Sequence, residues 1–365
     1  MMAKELTKEI AYKEFQKFFQ DKPFVLFGTG MSCAVDDKFS MTSLKEHLVN
    51  ELINKEQLDS KEKEQWDSVL KSLSAGIDFE TSMNSINDNN LINKIVKITG
   101  DFISKLDYKC SIDLLTSSKN WPASSLFKKL VDGLPGGDRE LHAATPNYDM
   151  IAEYAFGKAG IPYINGFHGG VVRKLDWGQS RRSITYVERI PYGKKIKSVT
   201  REKKHIALYK VHGSLNLFLT NENLIENNAL LYMPRPKGTE RLIITPGLSK
   251  YERLHQFRNE LLGKFDNSVG KHNFFLFLGF GFNDKQLNTR TILDKLKNQK
   301  YNGLIITKDT NDRINKLSDE AENSWLIYQS GSGTLIKNKK YSDPLFLQNE
   351  ELWKVDVFTK KILGG

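Results

Sequence analysis

The run Phe24-Val25-Leu26-Phe27 is entered from Pro23 and left through Gly28-Thr29-Gly30-Met31-Ser32. Four apolar residues with no polar alternation belong to a strand covered on both faces, and the residues after it read as a tight glycine turn opening a helix. Short apolar runs of the same kind return at 141–144, 206–211, 242–245, 274–278 and 304–307. Several are separated by segments long enough for a crossover helix. Buried strands alternating with helices predict an α/β fold with a Rossmann-like, mainly parallel sheet.

The segment between the first two runs has a different period. Leu44/Leu48/Leu52, Trp66/Leu70/Leu73, Leu91/Ile95/Ile98 and Leu126/Leu130 recur at spacings of three and four, the period of helices with one apolar stripe. Residues 41–139 therefore read as a mostly helical insert, and 1–40 together with 140–365 as a discontinuous core. Before the first strand, Leu6, Ile10, Phe15, Phe18 and Phe19 suit an amphipathic helix docked on that core. Residues 171–204 are rich in Arg and Lys, with Gly178 and Gly193 as breakers, and read as an exposed hairpin or loop excursion. In the tail 344–363, Leu345, Leu352, Val355 and Phe358 fit a helical face, whereas Trp353, Val355 and Val357 alternate as in a strand. Periodicity leaves both readings open for this terminal element.

Composition narrows the setting. Hydrophobic residues make up 39% and charged residues 27% of 365, a globular balance rather than a disordered or fibrous one. The densest apolar stretch, 274–282, is half the roughly 18 residues that a membrane span needs. The N-terminus mixes acids and bases and lacks the apolar centre of a secretory signal. Only Cys33 and Cys110 are present, with no CxxC pair, which favours a reducing compartment and a cytoplasmic location. A net charge of +10 favours anionic partners: a dinucleotide, nucleic acid or an acidic protein surface.

Four stretches carry residues suited to chemistry. Gly28 and Gly30 let the backbone approach a phosphate at a helix start, although the dinucleotide fingerprint G-x-G-x-x-G would need glycine where Cys33 stands. Gly279-Phe280-Gly281-Phe282-Asn283-Asp284 closes another strand and places small residues at the carboxyl edge of the sheet, where open α/β sheets take ligands. Thr145-Pro146-Asn147-Tyr148-Asp149 joins a strand to a helical pattern. Val211-His212-Gly213-Ser214 puts an imidazole at a strand end on the same rim.

Together these stretches resemble the sirtuins. Gly28-Thr29-Gly30-Met31-Ser32 is similar to their Gly-Ala-Gly-Ile-Ser turn, Pro146-Asn147-Tyr148-Asp149 to their Gln-Asn-Ile-Asp segment, and His212-Gly213-Ser214 to their His-Gly turn. The order Thr-x-Asn-Tyr-Asp, His-Gly-Ser and Gly-x-Gly-Phe-x-Asp resembles one branch more closely, the sirtuin-like NAD hydrolases of bacterial antiphage defence. Thr245-Pro246 followed by Lys250-Tyr251 fits that branch too. The resemblance implies cleavage of the nicotinamide–ribose bond of NAD as substrate, with no metal required. Asn147 would hold a water or ribose hydroxyl, Asp149 the nicotinamide amide, and His212 would be the general base. Gly28, Thr29, Gly30, Met31, Ser32, Ser214, Gly279, Gly281, Phe282 and Asp284 would bind the dinucleotide.

The same resemblance implies abortive infection through NAD depletion, a homo-oligomer, and regulation by a defence partner such as a HerA-type ATPase. Two readings compete with it. An NAD-dependent protein deacylase would carry a structural zinc held by four cysteines, which two cysteines cannot supply. A DNA-associated subunit of an ATPase or nuclease defence complex would grip phosphates through the basic excursion, in a salt-dependent manner.

Overall fold

A computed structural model describes residues 5–54, 56–243, 245, 262–283, 289–298 and 300–364. In chain order the strands begin with β1 (Phe24–Phe27), β2 (Glu140–Thr145), β3 (Tyr163–Ile164), β4 (Phe167–Gly169) and β5 (Val172–Leu175). They continue with β6 (Thr185–Tyr192), β7 (Lys195–Glu202), β8 (His205–Lys210), β9 (Gly213–Thr220), β10 (Asn223–Asn227) and β11 (Thr239–Ile243). The last five are β12 (Phe274–Leu278), β13 (Asn302–Thr307), β14 (Ser324–Ser330), β15 (Gly333–Lys337) and β16 (Leu345–Gln348).

Nine of them form the central sheet, in the order β16-β15-β14-β13-β12-β1-β2-β8-β3. Every neighbouring pair from β14 to β3 is parallel, and β15 and β16 add an antiparallel edge. The chain leaves β1 toward β2 on one side and later returns to β12 on the other. The order therefore reverses at β1/β12, the switch point at which open α/β sheets leave a crevice beyond their carboxyl ends. The mixed α/β architecture with a large, mostly parallel sheet is the one expected from the apolar runs.

Alternation along these strands divides the core into two layers. Val25, Phe27, Ala143, Leu276 and Leu278 face one layer, and Phe24, Leu26, Ala144, Phe275 and Phe277 the other. On the first face pack the helices Lys8–Phe18, Ser124–Asp132, Ile151–Lys158 and Val355–Leu363, with the second half of Asn89–Leu115. On the second pack Gly263–Lys271, Thr289–Lys297 and Asp312–Glu320. Residues 41–132 contain helices and no strand among the described residues, and Leu44, Leu48, Trp66, Leu91 and Ile95 form a separate apolar cluster there. The tail resolves into strand β16 followed by a helix whose Val355, Phe358 and Ile362 are buried. No described helix is long and apolar enough to cross a membrane.

One feature departs from the sequence reading, and the basic excursion does not. Leu242 and Ile243, from the run expected at 242–245, end a strand that begins at Thr239, and this strand pairs antiparallel with β9 rather than joining the parallel sheet. It belongs to a second, five-stranded sheet, β11-β9-β10-β5-β4, whose small core of Phe167, Leu217, Leu224 and Leu242 gave no distinct signal. The basic excursion is largely an antiparallel hairpin, β6 with β7, carrying exposed Val187, Tyr192 and Ile196.

At the amino edge of the sheet, the imidazole of His142 stacks parallel on Phe24 and on Tyr209, with centroids 6.1 and 5.9 Å away. Its Nδ1 lies 2.9 Å from the Tyr209 hydroxyl. Burial pushes its pKa down to about 4, against the opposing pull of Glu140. Because the folded pKa lies below the ordinary value of about 6.5, the unfolded chain takes up this proton first. The associated stability is complete above about pH 6.5 and is lost as pH falls toward 4, about 2 kcal/mol of it by pH 5. Urea unfolding at pH 7 and pH 5 should show that loss, reduced in His142→Gln; equal pH sensitivity in the two proteins would refute the assignment.

Candidate functional site

The turn after β1 is locked to the turn after β12. Gly28 N–H donates to Leu278 O at 3.0 Å, Gly30 N–H to Gly279 O at 3.1 Å, and Met31 N–H to Gly28 O at 2.9 Å. Side chains have no room between them. A Cβ on Gly28 would fall 2.6 Å from Gly279 O, and one on Gly30 would fall 2.8 Å from Gly279 Cα. Gly279 itself has φ +53°, in the left-handed region that glycine adopts without strain. Gly28 is buried, Thr29 half-buried and Gly30 exposed, so Gly30 is the part of this turn that faces outward. The Trp121 indole N–H donates to Met31 O at 3.1 Å and anchors the short helix that follows.

Onto this double turn the chain after β2 folds Asn147. Its Nδ2 donates to Gly28 O at 2.9 Å and to Ser32 Oγ at 2.8 Å. Ser32 in turn donates from Oγ to Asp149 Oδ2 at 2.6 Å, and Asp149 Oδ1 accepts from Ile151 N–H at 3.2 Å. All three side chains are buried. The Asn147 Oδ1 accepts no hydrogen bond from any described residue, although the side chain is more than nine-tenths covered. A buried carbonyl oxygen with no donor costs free energy, which a ligand hydroxyl or a water at that point would recover.

The turn carrying His212 runs alongside. β2 and β8 are in register at Thr145 and Lys210, Val211 N–H donates to Thr145 O at 3.1 Å, and Leu215 N–H donates to Tyr148 O at 3.0 Å. These two bonds bracket half-buried His212 in the turn after β8 and Asn147 in the segment after β2. Gly213 has φ +81°, and Ser214 donates from Oγ to Met150 Sδ at 3.3 Å. Gly28, Gly30, Ser32, Asn147, Asp149, the His212 turn and Gly279 thus share one end of the sheet.

Farther along the β12 turn, Gly281 O accepts from Asn311 Nδ2 at 2.8 Å. Phe282 has φ +56° and buries its ring against Phe277 and Phe280, with centroids 4.7 and 5.0 Å away, so its side chain serves the core. Asp284, and the segment from Pro246 to Tyr251, lie outside the described residues.

Sequence reading missed the charges beneath these residues. Lys210 closes β8 and is nearly inaccessible; its Nζ pairs with Glu153 Oε1 at 3.0 Å and donates to Asp149 O. Burial pushes Glu153 upward, with Lys210 opposing. Asp107, from the helix Asn89–Leu115, accepts from Met150 N–H at 2.7 Å and from the Tyr232 hydroxyl at 2.7 Å. Burial, and then the nearby charge of Asp149, push Asp107 up to about 7. The signals were faint: a lysine ending an apolar strand, and an acid on the apolar stripe of a helix.

A family model described as a SIR2-like domain matches residues 142–328, just over half of the chain. The chain belongs to the SIR2-like domain family. The matched region contains Asn147, Asp149, the His212 turn and Gly279, while the Gly28–Ser32 turn precedes it in sequence and joins it in space. The SIR2-like assignment carries a broad association with NAD-dependent chemistry. No curated protein matches the chain. Among the described residues no group of three or more His, Cys, Asp or Glu side chains could hold a metal ion.

Lys210→Met should destabilise the SIR2-like chain by about 3–5 kcal/mol, because it leaves the buried carboxyl of Glu153 without its partner. Lys210→Met combined with Glu153→Leu should restore most of that loss. Unfolding midpoints of the two variants provide the comparison, and a double variant no more stable than the single one would mean that the pair is not the reason.

Proposed function

We propose that the protein is an NAD glycohydrolase, which cleaves the nicotinamide–ribose bond to give nicotinamide and ADP-ribose. The observation that supports this most directly is the unsatisfied Asn147 Oδ1, fixed through its own amide to Gly28 O and Ser32 Oγ and flanked by the His212 turn. An acceptor held this rigidly suits a ribose hydroxyl or the attacking water. The glycine turns Gly28–Ser32 and Gly279–Phe282 meet at the switch-point crevice, where the rest of a dinucleotide would lie. Asp149 has both oxygens engaged within the protein, yet a carboxylate offers about four lone-pair sites, which leaves capacity for the nicotinamide amide.

The leaving group is a pyridinium, so it needs no acid. As the N–C1′ bond lengthens, its electron pair neutralises the nicotinamide ring and positive charge develops on the ribose. Water then adds its oxygen to C1′ and gives up a proton to His212. The residues contribute position and field rather than covalent chemistry. Met31, with its carbonyl anchored by Trp121, and Ser214, packed on Met150, would shape the walls.

The same reading places the chain in antiphage defence, where NAD depletion would arrest the infected cell. Its support is the order of Thr-x-Asn-Tyr-Asp, His-Gly-Ser and Gly-x-Gly-Phe-x-Asp. An oligomeric form or a HerA-type partner would restrain the enzyme until triggered.

Purified protein should release nicotinamide from NAD, alone or after activation. His212→Ala should lower turnover by about 10²- to 10⁴-fold, the range for loss of a positioned base. Asn147→Ala should be at least as damaging, and Ser32→Ala, which removes a support of both Asn147 and Asp149, should lie between it and the parent. Parental rates in both His212→Ala and Asn147→Ala would end this reading.

A further inference from the structure

On the far side of β11 from the His212 turn, the helix Asn89–Leu115 and the chain leading into β11 line an open cavity of about 410 Å³. That volume falls in the roughly 300–1,000 Å³ range of small-ligand sites. Ile92 and Val96 from the helix and Leu242 from the strand give it an apolar wall. Lys97, Arg235, Lys237 and Arg241 bring four cations to it, with Glu240 the single acid among the described lining residues.

Arg241 carries the argument. Its side chain is only 3% exposed, and Nη2 donates to Leu231 O at 3.0 Å. Nε and Nη1 donate to no described residue. Asp101 Oδ1 stands 3.8 Å from Nη1 and 3.8 Å from Arg235 Nη2, beyond hydrogen-bond reach of either. Lys97 also approaches Asp101, at 3.4 Å, so three cations share one carboxylate. The Phe218 ring covers one face of the guanidinium, with its centroid 5.6 Å from Cζ, but the two remaining donors still cost free energy unless something accepts from them. The helix makes room for it nonetheless. A Cβ on Gly100, mid-helix and buried, would fall 2.7 Å from Arg241 Nη1 and 3.1 Å from its Cδ, and glycine is unfavourable in a helix interior.

We propose that this cavity binds a phosphomonoester carrying a flat apolar group, a mononucleotide, with its phosphate on Arg241 and Arg235 and its base against Ile92, Val96 and Leu242. Guanidinium forks match phosphate oxygens in geometry and in charge. Burial, and then Arg235, lower the Arg241 pKa to about 10, which leaves the group charged at neutral pH. The site is separate from the dinucleotide crevice and does not depend on NAD chemistry. It is nevertheless next to the catalytic turn in structure: Ile243 is in register with Gly213, and a Cβ on Gly213 would meet Leu242 O at 2.1 Å.

Calorimetric titration of the intact chain with AMP, adenosine and inorganic phosphate tests the proposal, using the parent, Arg241→Met, Arg235→Ala and Asn147→Ala. AMP should bind the parent and Asn147→Ala alike, and should bind Arg235→Ala and Arg241→Met at least about ten-fold more weakly. Adenosine and phosphate alone should each bind more weakly than AMP. If Arg241→Met does not fold, Arg235→Ala, whose side chain sits nearer the rim, carries the comparison. No AMP binding at millimolar concentration, adenosine matching AMP, or AMP binding that is undiminished in Arg235→Ala would each overturn the proposal. Nicotinamide release is read in a separate assay, so loss of either conclusion is distinguishable from loss of the other.

Discussion

The contact on which the rest of the site depends is backbone against backbone: Gly28 and Gly30 against Gly279, at the point where the sheet reverses its strand order. Hydrogen bonds from Gly28 to Leu278 and from Gly30 to Gly279 fix the two turns at a separation that no side chain allows. Everything polar in the site is measured from that fixed point, because Asn147 takes its orientation from Gly28 O and Asp149 is held through Ser32 in the same turn. The glycines therefore do structural work before any ligand arrives. Their amides at positions 28, 30 and 31 are already donating within the protein, which makes the turn a rigid floor more than an array of free donors.

Beneath that floor lies an unusual concentration of buried charge. Asp107, Asp149 and Glu153 stand close enough that Asp149 raises the pKa of Asp107 and contributes to that of Glu153. Lys210 ties them together, pairing with Glu153 while donating to the carbonyl of Asp149. Buried ion pairs are weak sources of stability, since desolvation offsets attraction. Their value here is geometric: Lys210 and Asp107 both grip the backbone at 149–150, from opposite partners, and so define where the helix Ile151–Lys158 begins.

What the sequence revealed follows from how locally each feature is encoded. Strands buried on both faces must be uninterrupted apolar runs, so β1, β2, β8, β12 and β13 were legible, and turns between such strands and helices expose their Gly, Asn and His at one rim. The five-stranded sheet was not, because β5 and β10 are short and half-exposed, and β5 finds its partner β10 only across a long stretch of intervening chain. The tail was ambiguous for a related reason: it holds a strand and a helix in succession, and Trp353 to Val357 straddles the helix start. Lys210, Asp107 and Arg241 were hidden because a charged residue reads as surface until its partner is known, and each partner comes from a different element.

The buried acids bear on the proposed reaction through their sign. Loss of nicotinamide leaves positive charge on the ribose, and a site poor in water makes any fixed charge nearby count for more than it would in solution. Asp149, held by Ser32 and the Ile151 amide, is fixed before substrate binds and has no solvent shell to reorganise. Lys210 would oppose such charge if its ammonium faced the crevice, but it points its donors into Glu153 and the 148–149 carbonyls instead. Substituting the ion pair with apolar residues could therefore spare the fold yet alter catalysis, since the backbone bearing Asp149 would lose the anchor that sets its distance from Asn147.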